Sequence, residues 1–179
     1  MKTPKNLSLL LHVLAVAAVA AAMVRHFHIK SFNEVLPGVL YTSGQPRGMD
    51  YTRLLYRWHI ATIVNIRRVS EHREDNWYHE EIGWVRENGV RYFEMPIDKH
   101  DYLPEEETIG RFSALMADRA NLPVLLHDSN GKRRVALLAA AWLVKERQWD
   151  AAEALRLVDK IKDKGPADRE RLFLESLAR

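Results

Sequence analysis

The stretch His127-Asp128-Ser129-Asn130-Gly131-Lys132-Arg133-Arg134 gathers the groups in this sequence best placed to do chemistry. Pro123-Val124-Leu125-Leu126-His127 reads as a short buried strand, and Lys132 to Arg147 as a long helix, so the stretch is a strand-to-helix loop containing Gly131. A loop of that kind turns successive backbone N–H groups into one concavity at a helix N-terminus, which is a natural anion site. Ser129, Asn130, Gly131, Lys132 and Arg133 would form the cradle, and Arg134 in the first helical turn can offer a bidentate guanidinium to phosphate oxygens. An ordinary turn carrying solvated basic side chains fits the same residues. Loop chemistry alone leaves both readings open.

The elements that would position this loop alternate along the chain. Val35 to Tyr41 reads as a turn and a short strand, with Asp50 capping a helix through Trp58. Ala61 to Ile66 is a β-branched run suited to a buried strand. Glu74 to Asn88 has helical spacing in Trp77, Glu81, Trp84, Val85 and Asn88, and Gly89 supplies a stop. A strand over Val90 to Ile97 and a helix from Pro104 to Met116 precede the loop. Beyond the long helix, Asp150 and Glu153 make a capping-box start to a helix ending near Lys162, and Gly165-Pro166 separates it from a last helix, Asp168 to Leu177. Such alternation predicts an α/β domain with a mainly parallel central sheet flanked by helices.

Residues 1–30 are a different material. Leu7 to Val24 is nearly all Leu, Val and Ala, bounded by Lys2 and Lys5 before it and by Arg25, His26, His28 and Lys30 after it. Its length falls within the range of a membrane-spanning helix, so it reads as a membrane anchor. A cleaved signal segment is the competing reading, given Ala20-Ala21-Ala22, and a buried helix is a third. The basic residues favour a cytoplasmic N-terminus with the domain at 31–179 exported, on the periplasmic side if the source is bacterial, or secreted after cleavage.

The formal charge is +3 over 179 residues, with basic and acidic residues interleaved, so no nucleic-acid-binding stripe is present. There is no cysteine, which excludes disulfides, thiolate metal sites and a thiol nucleophile. No metal site and no cofactor is implied, since His26 and His28 are more simply interfacial residues.

The loop resembles that of tyrosine and dual-specificity phosphatases, a His-Cys pair followed by five residues and an Arg. His127 falls on the histidine, Asp128 on the cysteine and Arg134 on the phosphate-binding arginine. Val39 to Pro46 is similar to the entry segment of small bacterial and atypical dual-specificity phosphatases, and Ile60 to Arg67 to a strand of the same group. The resemblance runs from Phe32 to Leu157. It implies a compact cysteine-phosphatase-like fold, preceded here by one N-terminal hydrophobic helix, and a phosphorylated protein or small phosphate ester as ligand. It also implies a general acid in the loop after Met95-Pro96-Ile97, where Asp101 and then Asp98 are the candidates. His127 takes a structural role, bonding the loop backbone beneath the cradle.

Family chemistry requires a thiolate that attacks phosphorus and forms a cysteinyl-phosphate. Asp128 is a weaker nucleophile of different reach, and it puts a negative charge where phosphate should sit. Val135 also replaces the Ser or Thr usual after the arginine. The expectation is a catalytically impaired or repurposed phosphatase; an active phosphomonoesterase using Asp128 or an activated water is the alternative. Aspartyl-phosphate chemistry with Mg²⁺ would want a second aspartate two residues on, where Asn130 stands, and a His-Asp metallohydrolase would want its ligands on helices.

Overall fold

The computed structural model describes residues 5–73 and 76–178. Five strands form one sheet in the order β1 (Asn33–Leu36), β2 (Leu40–Ser43), β5 (Val124–His127), β3 (Thr62–Asn65), β4 (Arg91–Glu94). The β1–β2 pair is an antiparallel hairpin, and the other pairings are parallel. The chain enters as helix α1 (Lys5–Phe27) and continues through α2 (Met49–Tyr56), α3 (Trp77–Asn88) and α4 (Glu106–Ala117). After β5 come α5 (Arg133–Arg147), α6 (Ala151–Lys162) and α7 (Asp168–Leu177).

Strand alternation divides the core between the two faces of the sheet. Leu40, Val64, Val124 and Leu126 face α4 to α7, where Phe112 meets Trp142 edge-on. Tyr41, Ile63 and Leu125 face the other way, beneath α2 and α3. Central strands buried on both faces are mainly apolar, as Val124–Leu126 of β5 are. Each Leu or Ile fully buried here contributes roughly 1.5–3 kcal/mol. Helix α5 is sealed along almost its whole length, from Arg134 to Val144. That seal fixes the loop at its N-terminus against the ends of the strands.

The expected helices and strands form, with local differences. The capping box is present: Glu153 N–H donates to Asp150 Oδ1 (2.7 Å) and Asp150 N–H to Glu153 Oε2 (3.1 Å). Gly89 ends α3 in the left-handed conformation. Gly48, not Asp50, is the N-cap of α2; Asp50 instead accepts from the Arg47 N–H one turn back. Glu74, the expected first residue of α3, lies outside the described residues, as does Lys2. A 3₁₀ turn at Val69–Arg73, absent from the sequence reading, proves central to the site.

The membrane anchor and the localisation built on it are overturned. Among the described residues no helix is long and apolar enough to cross a membrane. Helix α1 forms, but His12 and Arg25 cut its uninterrupted apolar stretch to Val13–Val24, rich in alanine. That stretch spans only about 18 Å at the helical rise, against a hydrocarbon core of about 30 Å. Lys30, read as a charge flanking a membrane, is instead bonded to the cradle.

Candidate phosphate-binding site

In a parallel sheet the loops leaving the C-terminal strand ends converge on one edge. Here Ser43, Asn65 and His127 stand in register at that edge, and the segments that follow them build the site. Gly131 has φ +68°, and a Cβ there would come within 2.1 Å of Gly44 N. Only glycine lets the cradle close against the segment after β2.

Asp128 is 3 % exposed and holds the floor of this loop. Its Oδ1 accepts from the N–H groups of Asn130 (2.8 Å) and Gly131 (2.5 Å), while its Oδ2 lies 3.3 Å from Arg134 Nε. The one carboxylate therefore engages two loop amides and the guanidinium. Arg134 is committed further. Its Nη1 and Nη2 donate to Glu71 Oε1 (2.7 Å) and Oε2 (3.2 Å), and Nη1 also donates to Ile97 O (3.3 Å).

Glu71 comes from the 3₁₀ turn. Burial alone would raise its carboxyl, but the bonds from Arg134 and the Arg68 N–H, with the charges of Arg134 and Arg67, hold it below the usual range. Arg134 is correspondingly held charged: burial works against it, and Glu71 and Asp128 outweigh burial. Arg67 lies over the Trp77 ring at 3.8 Å and reaches Glu71 Oε2 at 3.4 Å.

Beneath the loop lies a second buried carboxylate, Glu81 of α3. It accepts from Gln45 Nε2 (3.0 Å), Tyr51 Oη (3.3 Å) and Tyr92 Oη (3.0 Å), and His127 Nε2 stands 3.3 Å away. Burial pushes Glu81 up, yet the facing His127 and these donors bring it below its ordinary value. Burial first, then the Glu81 charge, pushes the Tyr51 and Tyr92 phenols up, so both remain donors. His127 thus faces Glu81 from under the cradle and makes no bond to the loop backbone.

The cradle residues expected from the sequence come together: Asp128 to Lys132 form the loop, Arg133 and Arg134 open α5, and Ser129, Asn130, Lys132, Arg133 and Arg134 line a cleft of about 390 Å³. Neither acid candidate lines it. Asp98 accepts from the His100 and Asp101 N–H groups and pairs with Arg68 at 2.6 Å. The backbone bonds from His100 and Asp101 and the Arg68 charge outweigh the small desolvation and hold Asp98 below the usual carboxylate range, the wrong direction for a general acid. Asp101 is paired with Arg169 of α7. Lys30, missed as a site residue, donates from Nζ to Ser129 O (2.9 Å) and Asn130 Oδ1 (2.8 Å). Nothing in the sequence marks Lys30 or Glu71 as site residues; Glu81 had a signal, an acid on the apolar face of a predicted helix.

A sequence model of the tyrosine phosphatase family matches residues 27–176. The chain belongs to the tyrosine phosphatase family. Among family relatives, it is 24 % identical over 113 residues to the tyrosine-protein phosphatase-like protein OCA2 of Saccharomyces cerevisiae, covering 63 % of this chain and 55 % of that protein. It is 26 % identical over 116 residues to the dual specificity protein phosphatase TpbA of Pseudomonas aeruginosa, covering 65 % and 48 %. The chain thus spans about half the length of these relatives. The tyrosine phosphatase fold is shared with the core catalytic domain of the PP-IP phosphatase Siw14 from S. cerevisiae, solved with citrate (TM-score 0.70, 17 % identity, 82 % of this chain and 85 % of that one). A cysteine-to-serine form of P. aeruginosa TpbA in complex with phosphotyrosine shares it too (TM-score 0.61, 19 % identity, 83 % and 88 %).

Proposed function

We propose that this tyrosine phosphatase family member is a binding module for phosphorylated ligands whose hydrolytic chemistry is impaired, because Asp128 itself occupies the anion cradle. One observation carries the reading: a single carboxylate accepts from two cradle amides and lies beside the cradle arginine. Those are the donors that would hold phosphate oxygens in a competent loop. An incoming phosphate must compete with a tethered anion and repel its charge, so affinity at the cradle falls.

The same contacts disable Asp128 as a nucleophile. Oδ1 is tied to amides and Oδ2 to a cation, which lowers the electron density available for attack on phosphorus. No thiol exists to replace it. Asp98 and Asp101, paired with Arg68 and Arg169, are not poised to protonate a leaving oxygen. Family kinship, and phosphotyrosine in the TpbA structure, support phosphorylated ligands as the class bound.

Hydrolysis of an aryl phosphate by the native protein, Asp128→Ala, Arg134→Ala and Asp128→Cys tests this. The native protein should show no turnover above the Asp128→Ala control. Substantial native turnover, lost in both Asp128→Ala and Arg134→Ala, would overturn the proposal.

A further inference from the structure

We propose that the cradle is a site of covalent self-modification, in which Asn130 is deamidated by attack of the next residue's backbone nitrogen, with water as the co-reactant. The sequence holds two Asn-Gly pairs, Asn88-Gly89 and Asn130-Gly131. In such a pair the glycine nitrogen lies four bonds from the asparagine Cγ. Attack therefore closes a five-membered imide ring, and a residue without a Cβ hinders it least. Both asparagines are exposed, and both glycines take the left-handed conformation, at φ +65° and +68°. The glycine backbone does not separate the two pairs. Their partners do.

At Asn88 both partners are neutral carbonyls. Its Nδ2 donates to Trp84 O at 2.9 Å, and the Gly89 N–H donates to Val85 O, both in the last turn of α3. At Asn130 the two reacting groups meet opposite charges. The Gly131 N–H donates to Asp128 Oδ1 at 2.5 Å, which places a carboxylate base on the attacking nitrogen. Asn130 Oδ1 accepts from Lys30 Nζ at 2.8 Å, which places an ammonium on the oxygen where negative charge develops. Lys30 is held by a second bond, to Ser129 O at 2.9 Å, and its stem packs over Gly44. A Cβ at position 131 would come within 2.1 Å of Gly44 N, so closure of the cradle itself keeps the reactive pair in place.

Asp128 takes the Gly131 amide proton as the nitrogen bonds to Asn130 Cγ, and the carbonyl electron pair moves onto Oδ1 beside the Lys30 ammonium. When the carbonyl re-forms, the Cγ–Nδ2 bond breaks. Nδ2 leaves as ammonia with the proton Asp128 had taken. Water then opens the imide at either carbonyl, giving aspartate or isoaspartate. Asp128 and Lys30 end unchanged, and either product puts a second carboxylate in the loop that already holds Asp128. Loss of ammonia makes the change one-way.

The test is a time course of the full chain in neutral buffer, digested and read by mass spectrometry for exchange of NH2 for OH at each asparagine. The native protein, Lys30→Met and Asp128→Asn are compared. Methionine keeps the stem over Gly44, and asparagine keeps an acceptor for the loop amides. In the native protein Asn130 should convert at least about tenfold faster than Asn88, a small part of what a positioned base and donor supply. Each variant should bring Asn130 most of the way down to the rate of Asn88. Conversion of Asn130 no faster than Asn88, or a rate in both variants equal to the native one, would overturn the inference. The comparison within the native chain stands even where a variant does not fold. In urea the two pairs should convert alike. A preference for Asn130 that survived unfolding would trace to local sequence, and would overturn the inference too.

Discussion

The cradle at residues 127–134 and the acidic loop at 97–102 both border the cleft, and both are rich in charge, yet they handle it oppositely. In the cradle the charges close on one another out of water: Asp128 on Arg134, Arg134 on Glu71, Glu71 on Arg67. In the acidic loop Asp98 and Asp101 turn outward to Arg68 and Arg169, with Asp101 72 % exposed. The distances are alike and the consequences are not. Charges out of water cannot lose a partner cheaply, whereas exposed pairs exchange readily with solvent. The shape of the cradle is therefore set by its own ionic contacts, and the acidic loop can be re-aimed at little cost. The impairment argued here consequently hangs on Asp128 and not on the placement of the acids.

The largest effect should come from breaking the cradle network at Glu71. Glu71→Ala removes the carboxylate that Arg134 and Arg67 share, leaving Arg134 with Asp128 and Ile97 O, and should cost up to about 3–5 kcal/mol in urea denaturation. Glu71→Gln, which keeps an acceptor, should cost less and remain folded. A loss under about 1 kcal/mol in both would mean the buried pair is no stronger than a surface one.

A smaller, pH-dependent effect follows from the carboxylates held low. Glu71 and Glu81 both titrate below their ordinary value when folded, so below that range the unfolded chain binds more protons than the folded one. Their stabilisation is full above the ordinary glutamate value of about 4.3 and is lost as pH falls through the depressed folded values. Stability measured between neutral and acid pH should show this fall, and Glu71→Gln should flatten it. An unchanged slope in Glu71→Gln would contradict the assignment. The smallest effect belongs to the outer loop. Asp101→Asn should shift stability by no more than about 0.5 kcal/mol. A loss comparable to that of Glu71→Gln would erase the contrast between the two loops.

Features written in local spacing were legible before the structure: the apolar β5, the Asp150–Glu153 box, Gly89 as a stop, and Gly131 where the cradle closes. What escaped was long-range. Glu71 meets Arg134 across 63 positions and Lys30 meets Ser129 across 99, and no periodicity reports on such pairs. The 3₁₀ turn that delivers Glu71 is too short to leave a pattern. The membrane reading failed for a quantitative reason. A run read by the length of Leu7–Val24 as spanning lies in a helix that, among the described residues, is not long and apolar enough to cross a membrane.

The central claim is that Asp128 fills the site an anion would otherwise take. Titration of orthophosphate or vanadate into the native protein, Asp128→Ala and Asp128→Ser tests it most directly. Freed of the carboxylate, the Asn130 and Gly131 amides and Arg134 Nε should bind the anion about tenfold tighter or better, which is about 1.4 kcal/mol. Equal affinity in all three proteins would show that Asp128 does not occupy the cradle in solution, and the account would fail.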